Sequence, residues 1–419
     1  MLDTPITDAL LSALLNRDAA ALDAIQAHRA AECASIRTVI CTDASGAVDL
    51  DLGLSVSSSD YVTSFFEGPR AFFMSAGASV QAHLTGGRSN VLIDFSLSFD
   101  SNFAEKLRAV IAGENIQQAD RDRVLEILML KARNRHVQFD VMPFLIENTR
   151  LARKEPSNER PLNTLIAFRM LDHLDWDTFR NDPGRFVFNA SSEDLKAQLR
   201  PDAEAFLAEL QASAEISHQE AKSAGTQALL LRFVRLWHEE RKPNRNRILR
   251  ELIRFSIHKL GAIPLTEIRL IWSGMTSNLG SPFFGPIMGR SPDMVQKIRG
   301  MAWDMTLLRV MEQIATASQV GSFFIPYFVS MDRRWRHLLR LNPVRLMVID
   351  DAHRRVIFAR TNEQEFQRVL EECTRTEFQS EMTSEKIEAR RRSAQAIELN
   401  AMQQLVAEEE RHWLAATAE

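Results

Sequence analysis

Cysteine is scarce in this chain of 419 residues: only Cys33, Cys41 and Cys373 occur, with no CxxC pair and no zinc-ligand spacing. Such a sparse, odd set excludes a disulfide-bonded scaffold and favours a reducing compartment, the cytoplasm. No apolar run approaches the roughly 20 residues that a membrane-spanning helix needs. The N-terminal stretch carries Asp3 and Asp8 where a secretory signal peptide would carry lysine or arginine. The sequence therefore predicts a cytoplasmic protein without a membrane segment.

Signatures of several enzyme classes are also missing. The chain has no P-loop, no GxGxxG and no GxSxG, and its 10 histidines show no metal-ligand spacing. Basic residues do not dominate, because 51 lysines and arginines stand against 55 aspartates and glutamates, a net charge of −4. This charge balance excludes an extended basic surface for duplex DNA. It is compatible with a local basic groove beside an acidic site.

What is present is a globular composition, with 45% hydrophobic and 25% charged residues. Short apolar runs bounded by loops predict strands. Ile36–Thr42 and the alternating stretch that follows it predict a hairpin or two edge strands. Asn90–Phe95 fits a buried strand of a parallel sheet, and Phe323–Val329 predicts a further strand. Arg345–Ile349 and Arg355–Ala359 predict a hairpin, and helical spacing dominates from 102 to about 272.

The first of four notable acids is Asp94, at the C-terminal end of the predicted buried strand. Ligand sites in open parallel sheets lie beyond such strand ends. Asp100 is a rival for this role, although Asn102 and Glu105 beside it form a helix-start pattern that favours local turn chemistry. A strand-end aspartate that only caps the next turn is the other interpretation of Asp94.

The second acid, Glu147, shares a helix face with Phe144 and Leu151 on a helix predicted to begin at a proline. A carboxylate in an apolar stripe needs a partner, a proton or a cation. The alternative to a cation is an ion pair with Arg150 or Arg153.

Asp304 and Asp332 complete the set. Asp304 is predicted in the first turn of a helix, where the helix dipole alone would favour a carboxylate. Asp332 follows a strand directly and opens a helix, so capping that helix is its alternative role. Together the four acids offer the several oxygen ligands that magnesium takes from rigid elements. They therefore predict a shared divalent-metal site.

Two segments resemble the PIN-like nucleases. MAWDMTLLRVMEQIA, which contains Asp304, is similar to the helix that bears the third acid of that family. FFIPYFVSMDRRWRHLL is similar to its next strand followed by the fourth acid, here Asp332. In that family a compact α/β/α fold gathers three or four acids at one edge of a parallel sheet. The resemblance implies that Asp94, Glu147, Asp304 and Asp332 form the catalytic, metal-binding cluster.

The resemblance also implies an α/β fold with a three-layer α/β/α core, a central mostly parallel sheet, a large helical insertion and a helical C-terminal tail. A compact PIN-like domain does not need the residues between the two matching blocks. The predicted segments are an N-terminal helical segment and hairpin (1–87), the first half of the core (88–154), a helical insertion or subdomain (155–295), the second half of the core (296–361) and a charged helical tail (362–419).

The function implied is that of a nuclease that hydrolyses phosphodiester bonds with Mg²⁺ or Mn²⁺, and RNA is the expected substrate. One or two ions would polarise a scissile phosphate and activate a water. Arg299, Arg333 and Arg334 flank the acids and are expected to hold substrate phosphates, as are Arg290 and Lys297. Solvated surface charge is the alternative for at least half of these cations.

Two other functions fit the same residues. A non-enzymatic interaction protein would bind a partner or a second copy through its helical middle and its C-terminal helix, with the acids serving as caps and ion pairs. In the tail, Ile387, Ala394, Ala401 and Leu405 lie near one face, which can pair with another helix or pack on the protein's own body. A phosphoesterase acting on small phosphorylated molecules would use the same metal chemistry.

Overall fold

The chain is an α/β protein in which helices predominate. The computed structural model describes residues 4–53, 61–87, 89–153, 155, 157–239, 242–276, 281–289, 291–318, 322–375, 378–381 and 383–418. Within these residues the strands are β1 (Ile36–Thr42), β2 (Val48–Asp49), β3 (Val62–Ser64), β4 (Arg70–Ser75), β5 (Ile93–Phe99), β6 (Gln138–Asp140), β7 (Phe323–Val329), β8 (Val344–Asp350) and β9 (Arg355–Arg360).

The helices fall into an N-terminal group, a middle group and a C-terminal group. The first comprises α1 (Ile6–Leu15), α2 (Ala19–His28), α3 (Ala30–Cys33), α4 (Ala76–Leu84), α5 (Ser101–Ile111), α6 (Gln118–Arg133) and α7 (Met142–Ala152). The middle group comprises α8 (Arg160–Met170), α9 (Trp176–Asn181), α10 (Ser192–Ala212), α11 (Ala214–Glu239), α12 (Arg245–Phe255), α13 (Leu265–Thr276) and α14 (Ser281–Met288). The last comprises α15 (Met294–Ile314), α16 (Arg333–Leu341), α17 (Glu363–Thr374), α18 (Ser384–Gln395) and α19 (Leu399–Ala418).

One sheet of the described chain is mixed, with strand order β3-β7-β5-β6. Strands β7, β5 and β6 run parallel, and β3 joins the edge antiparallel to β7. All seven residues of β7 are buried, which fits a strand covered on both faces. Both strands expected from the sequence, near Asp94 and before Asp332, are present, and they lie side by side and parallel. The predicted end of the first strand is wrong, because β5 continues to Phe99.

The second sheet is antiparallel, with strand order β2-β4-β1-β8-β9 among the described residues. The predicted hairpin of β8 and β9 is confirmed. The prediction that β1 pairs with the next stretch as a hairpin, or forms an edge, is wrong. Strand β1 lies in the centre between β4 and β8, and the short β2 pairs with β4 instead. The mainly apolar β1 is therefore an interior strand, whose partner β8 comes from the far end of the chain.

The middle of the chain is helical, as expected. Between 155 and 280 the described residues form helices α8 to α13 and no strand, apart from one isolated bridge between Leu174 and Phe188. Helix α11 packs against both α15 and α19. One large hydrophobic core joins both sheets to these helices, from Val39 to Trp413. The division of the chain into five segments therefore stays a prediction.

The C-terminal helix α19 lies on the body of the protein. Its Met402, Leu405 and Trp413 are buried, and it packs along α11. Ile387 on α18 remains half exposed. Of the two alternatives for the tail, packing on its own body is the one found for α19. Among the described helices, none is long and apolar enough to cross a membrane.

Candidate active site

The C-terminal ends of β5 and β7 bring two acids together. Because Phe99 pairs with Val329, the residues that follow, Asp100 and Ser330, emerge side by side. The Ser330 hydroxyl donates to Asp100 Oδ2. The backbone N–H of Asp332 donates to the same hydroxyl oxygen at 3.0 Å. Ser330 thus connects the two aspartates that follow neighbouring parallel strands.

Both aspartates also cap helices. Capping is therefore one role of these residues, and it does not exclude a second role. Asp100 Oδ1 accepts from the backbone N–H of Phe103 at 2.7 Å and begins α5. Asp332 Oδ1 accepts from the backbone N–H of Arg334 at 2.7 Å and begins α16. An aspartate is a favoured residue at this position because its oxygen satisfies an unpaired N–H of the first turn. The caps fix both carboxylates on rigid elements.

Glu147 reaches these aspartates from α7. That helix begins next to a proline, as predicted, and its apolar face is buried. Glu147 Oε2 accepts from the Ser101 hydroxyl at 2.5 Å, and the Asn148 side-chain amide donates to the same hydroxyl at 2.9 Å. Of the two predicted ion-pair partners, Arg153 pairs with another acid, while Arg150 stacks on a tryptophan and still interacts electrostatically with Glu147. The Arg150 guanidinium lies 4.4 Å from the centre of the Trp303 ring, and Arg153 lies 3.3 Å from Glu220.

Asp304 enters from the centre of α15. The prediction that it lies in a first helical turn is wrong, since α15 begins at Met294, and the helix dipole does not account for its charge. Its side chain is 13% exposed, and Arg334 Nη2 lies 3.4 Å from Oδ2. This approach does not make a hydrogen bond: Asp304 Oδ2 is buried without a hydrogen-bond partner. A buried carboxylate oxygen left in this state is costly unless a cation or proton satisfies it.

The carboxyl groups of Asp100, Glu147, Asp304 and Asp332, here called the acidic cluster, repel one another. Burial raises the pKa of Asp100 to about 7, and repulsion from Glu147 and Asp332 adds to the effect. The pKa of Asp304 is raised to about 8, mainly by burial. Arg334 opposes this rise, whereas the other three acids increase it. Buried carboxyl groups with a raised pKa, such as those of Asp100 and Asp304, are typical of functional sites.

Asp94, the first acid predicted from the sequence, lies away from this cluster. It is the second residue of β5 and pairs in register with Phe324, at the opposite edge of the sheet. Asp100 lies six positions further along the chain, a distance of about 20 Å at roughly 3.3 Å per residue. The sequence carried a signal for Asp100: apolar residues alternate from Ile93 to Phe99, which predicts a longer strand.

The predicted phosphate-binding arginines are divided between three places. Arg334 lies at the acidic cluster, beside Asp304. Arg333 is exposed and lines a separate cavity along α16. Arg299 has a side chain that is 66% exposed and lies 3.9 Å from Glu410 on α19.

Two further cations were expected near the acids. Lys297 donates to the Ser291 hydroxyl at 2.6 Å, so it is held within its own segment. Arg290 lies outside the described residues. Arg150, which the sequence suggested only as an ion-pair partner, lies one helical turn after Glu147 and interacts electrostatically with that carboxylate. Burial lowers the pKa of Arg150.

A second group of candidate metal ligands occurs on α19. Among the described residues, Glu408, Glu409 and His412 are the one group whose ligand atoms all lie within 4.8 Å of one another. The oxygens of the acidic cluster are therefore more widely spaced. On α19, however, Glu408 lies 3.4 Å from Lys259, and Glu409 lies 3.6 Å from Arg235. Each of these carboxylates therefore lies beside a cation, although Glu409 Oε2, like Asp304 Oδ2, is buried without a hydrogen-bond partner.

No family model matches the chain, and neither a curated protein nor a solved structure gives a significant match. The chemistry of the acidic cluster is accordingly the basis for assigning a function.

Proposed function

We propose that the acidic cluster binds Mg²⁺ or Mn²⁺ and hydrolyses phosphodiester bonds. The observation that carries this proposal is the meeting of Asp100, Glu147, Asp304 and Asp332 at the C-terminal ends of parallel strands. We further propose that the protein is a PIN-like nuclease in which Asp100, rather than Asp94, is the first acid. RNA as the substrate follows from that resemblance.

The residues of the cluster fit a hard divalent cation. The donors are all carboxylate oxygens, which Mg²⁺ and Mn²⁺ prefer. Asp304 Oδ2 is buried without a hydrogen-bond partner and lies 3.4 Å from Arg334, so a divalent cation would supply the close contact that this oxygen lacks. Asp304, Glu147 and Asp332 would hold the ion. Asp100 accepts a hydrogen bond from Ser330, which holds the C-terminal ends of β5 and β7 together. A divalent ion there would supply charge neutralisation at the scissile phosphate and a water of lowered pKa.

The other residues of the site orient its charges. Ser101 donates to Glu147 and is itself fixed by Asn148, so the carboxylate keeps one direction. The Arg334 guanidinium lies at the rim, where its charge would attract a phosphate that approaches Asp304. Arg150 is stacked on Trp303 and adds a second cation on the side of Glu147. The site therefore combines anionic ligands with cations that suit a phosphodiester.

The proposed PIN-like core consists of the parallel trio β7-β5-β6 with α5, α7 and α15. Helix α7 packs against β5, and α15 packs against β7, which supports a layered arrangement around this sheet. The antiparallel sheet and the helical middle are then additions to the core. Three free cysteines agree with action in a reducing compartment such as the cytoplasm.

A cleavage assay with purified protein tests the proposal. Single-stranded RNA, structured RNA and single-stranded DNA are incubated with Mg²⁺ or Mn²⁺, with and without EDTA. We expect RNA cleavage that EDTA abolishes, and a loss of about a hundredfold or more in Asp304→Asn and Asp332→Asn, because each substitution removes a charged ligand and keeps the shape. Glu408→Gln is the matched control and should cleave normally. The interaction-protein alternative replaces the proposal if no substrate is cut and neither metal changes thermal stability.

A further inference from the structure

A cavity of about 430 Å³ lies between α18 and the helices α12, α13 and α17. We call it the apolar pocket and define it by Ile253, Ile263, Leu265, Leu370, Ile387 and Ala394. Ile387 and Ala394 are the two residues of α18 on the tail face that the sequence singled out for helix pairing. That part of the face therefore borders a cavity.

Helix α18 is attached to the protein on either side of this cavity. Arg390 Nη2 donates to the Glu381 carbonyl at 2.5 Å, and Glu381 lies three residues after Phe378, which is buried in the core. Towards the end of α18, a Cβ at Gly261 would lie 2.9 Å from Ser393 Oγ, so the missing side chain at Gly261 permits this close approach. The cavity is therefore enclosed by contacts of the fold.

The walls of the apolar pocket leave hydrophobic surface uncovered. Leu265 is 51% exposed and Ile387 is 50% exposed, although both line the pocket. Protein interiors are close-packed, because atoms that face a void lose van der Waals contacts. An apolar cavity of this kind therefore favours an apolar ligand that restores those contacts. Its volume lies in the range of small-molecule sites.

The polar residues of the lining are Arg390 and Arg391 of α18, and none of the described lining residues is acidic. Arg390 is engaged by Glu381. The Arg391 side chain is 42% exposed, and its ion-pair partner is Glu388 at 3.8 Å, with a side chain that is 56% exposed. An exposed ion pair of this kind contributes little to stability, so a ligand carboxylate can compete for the Arg391 guanidinium.

We propose that the apolar pocket binds a single-chain carboxylate, such as a medium-chain fatty acid. The hydrocarbon chain lies among the apolar side chains of α12, α17 and α18, and the carboxylate pairs with Arg391. The planar fork of a guanidinium matches the two oxygens of a carboxylate. This inference does not rest on the nuclease proposal, because no residue of the acidic cluster lines the pocket.

Binding is measured by calorimetry on the full chain in EDTA, with each probe below its micelle-forming concentration. The probes are octanoate, decanoate, decanol and decyltrimethylammonium. Decanoate should bind as one molecule per chain and about tenfold more tightly than octanoate, because two further methylene groups leave water. Decanol and decyltrimethylammonium have the same chain without the carboxylate, so they should bind at least about tenfold more weakly than decanoate.

Two pairs of variants on α18 locate the binding site. Ala394→Trp fills the pocket and should weaken decanoate binding about tenfold or more, whereas Ala389→Trp places the same side chain at an exposed position outside the lining and should not. Arg391→Gln should weaken it about tenfold through the lost charged hydrogen bonds, and its exposed neighbour Arg392→Gln should not. Arg391→Gln alone serves if Ala394→Trp is unfolded by circular dichroism. Asp304→Asn should bind normally, which separates this test from that of the nuclease.

Several results would overturn the proposal. It is wrong if neither alkanoate binds, if decanol or decyltrimethylammonium binds as tightly as decanoate, or if either folded test variant matches its control. Sedimentation of the wild type tests a second copy as the occupant. A concentration-dependent dimer that Ala394→Trp abolishes and decanoate leaves intact would assign the pocket to that second copy and overturn the proposal as well.

Discussion

The acidic cluster and the Glu408–Glu409–His412 group of α19 are two collections of carboxylates with opposite character. On α19 the ligand atoms are close together, and each carboxylate lies beside a cation, Lys259 for Glu408 and Arg235 for Glu409, although Glu409 Oε2 has no hydrogen-bond partner. In the acidic cluster the oxygens are further apart, the cations Arg334 and Arg150 stand against four acids, and the pKa of Asp304 is raised to about 8. The comparison teaches that missing compensation, rather than short distance, marks a site that needs a ligand.

The test with the largest expected effect neutralises one acid in each group and measures RNA cleavage, to see whether the two groups differ. Under the nuclease proposal, Asp100→Asn should reduce the rate by about a hundredfold or more, because the cluster loses a charge at the strand edge. Glu408→Gln and Asp94→Asn should stay within about twofold of the wild type, once circular dichroism shows that they are folded. Loss of cleavage in Glu408→Gln alone would indicate that the metal site lies on α19.

The second test uses stability against pH in EDTA. An aspartate titrates near pH 3.9 in the unfolded chain, whereas Asp304 in the folded protein has a pKa of about 8. Between these values the folded state binds the additional proton, so this group destabilises the fold as the pH rises from 5 to 8. Asp304→Asn lacks this titration and should gain on the order of 3–4 kcal/mol relative to wild type over that interval. The readout is the urea midpoint at each pH.

The α19 group supplies the control for the pH test. Glu408→Gln makes the same carboxylate-to-amide change at a group that lies beside Lys259, and it is measured in parallel. A parallel pair of curves for Asp304→Asn and wild type would show that Asp304 is not protonated in the folded protein. The asymmetry between the two groups would then be lost.

The smallest expected effect is thermal stabilisation by Mn²⁺. A metal concentration tenfold above the dissociation constant stabilises the folded state by about 1.4 kcal/mol. We expect this shift in melting temperature for the wild type and for Glu408→Gln at pH 8, and a much smaller one for Asp304→Asn. If Glu408→Gln loses the shift and Asp304→Asn keeps it, the ion binds to α19.

The sequence predicted those parts of the fold and site that depend on local pattern. The helix of Glu147, the strand before Asp332 and the hairpin of β8 and β9 follow from proline position and apolar runs within a few residues. The choice of Asp94 failed because the limits of β5 are set by pairing with β7, far away in the chain. In the same way, the central place of β1 depends on β8.

Asp304 illustrates a second limit on what can be predicted from the sequence. Helix α15 begins at Met294 because Met294 and Ile298 are buried in the core, a gain that depends on the partner elements. The local sequence therefore places Asp304 on a helix, as found, but in the wrong helical turn. Ser330 and Ser101, which orient the carboxylates, carry no sequence signal of their own, because their partners lie on other elements.

The pairing of β5 with β7 also bears on the order in which the parts of the site are synthesised. Ile93 pairs with Phe323 and Phe99 with Val329, so the two strands are separated by most of the chain. At synthesis rates of about 5–20 residues per second, Phe99 leaves the ribosome roughly 10–50 seconds before Val329. During that interval the nascent polypeptide carries Asp100 and Glu147, but the neighbouring strand that completes their edge does not yet exist. A chain that ends before Asp304 therefore lacks two of the four acids, together with the strand β7 that pairs with β5.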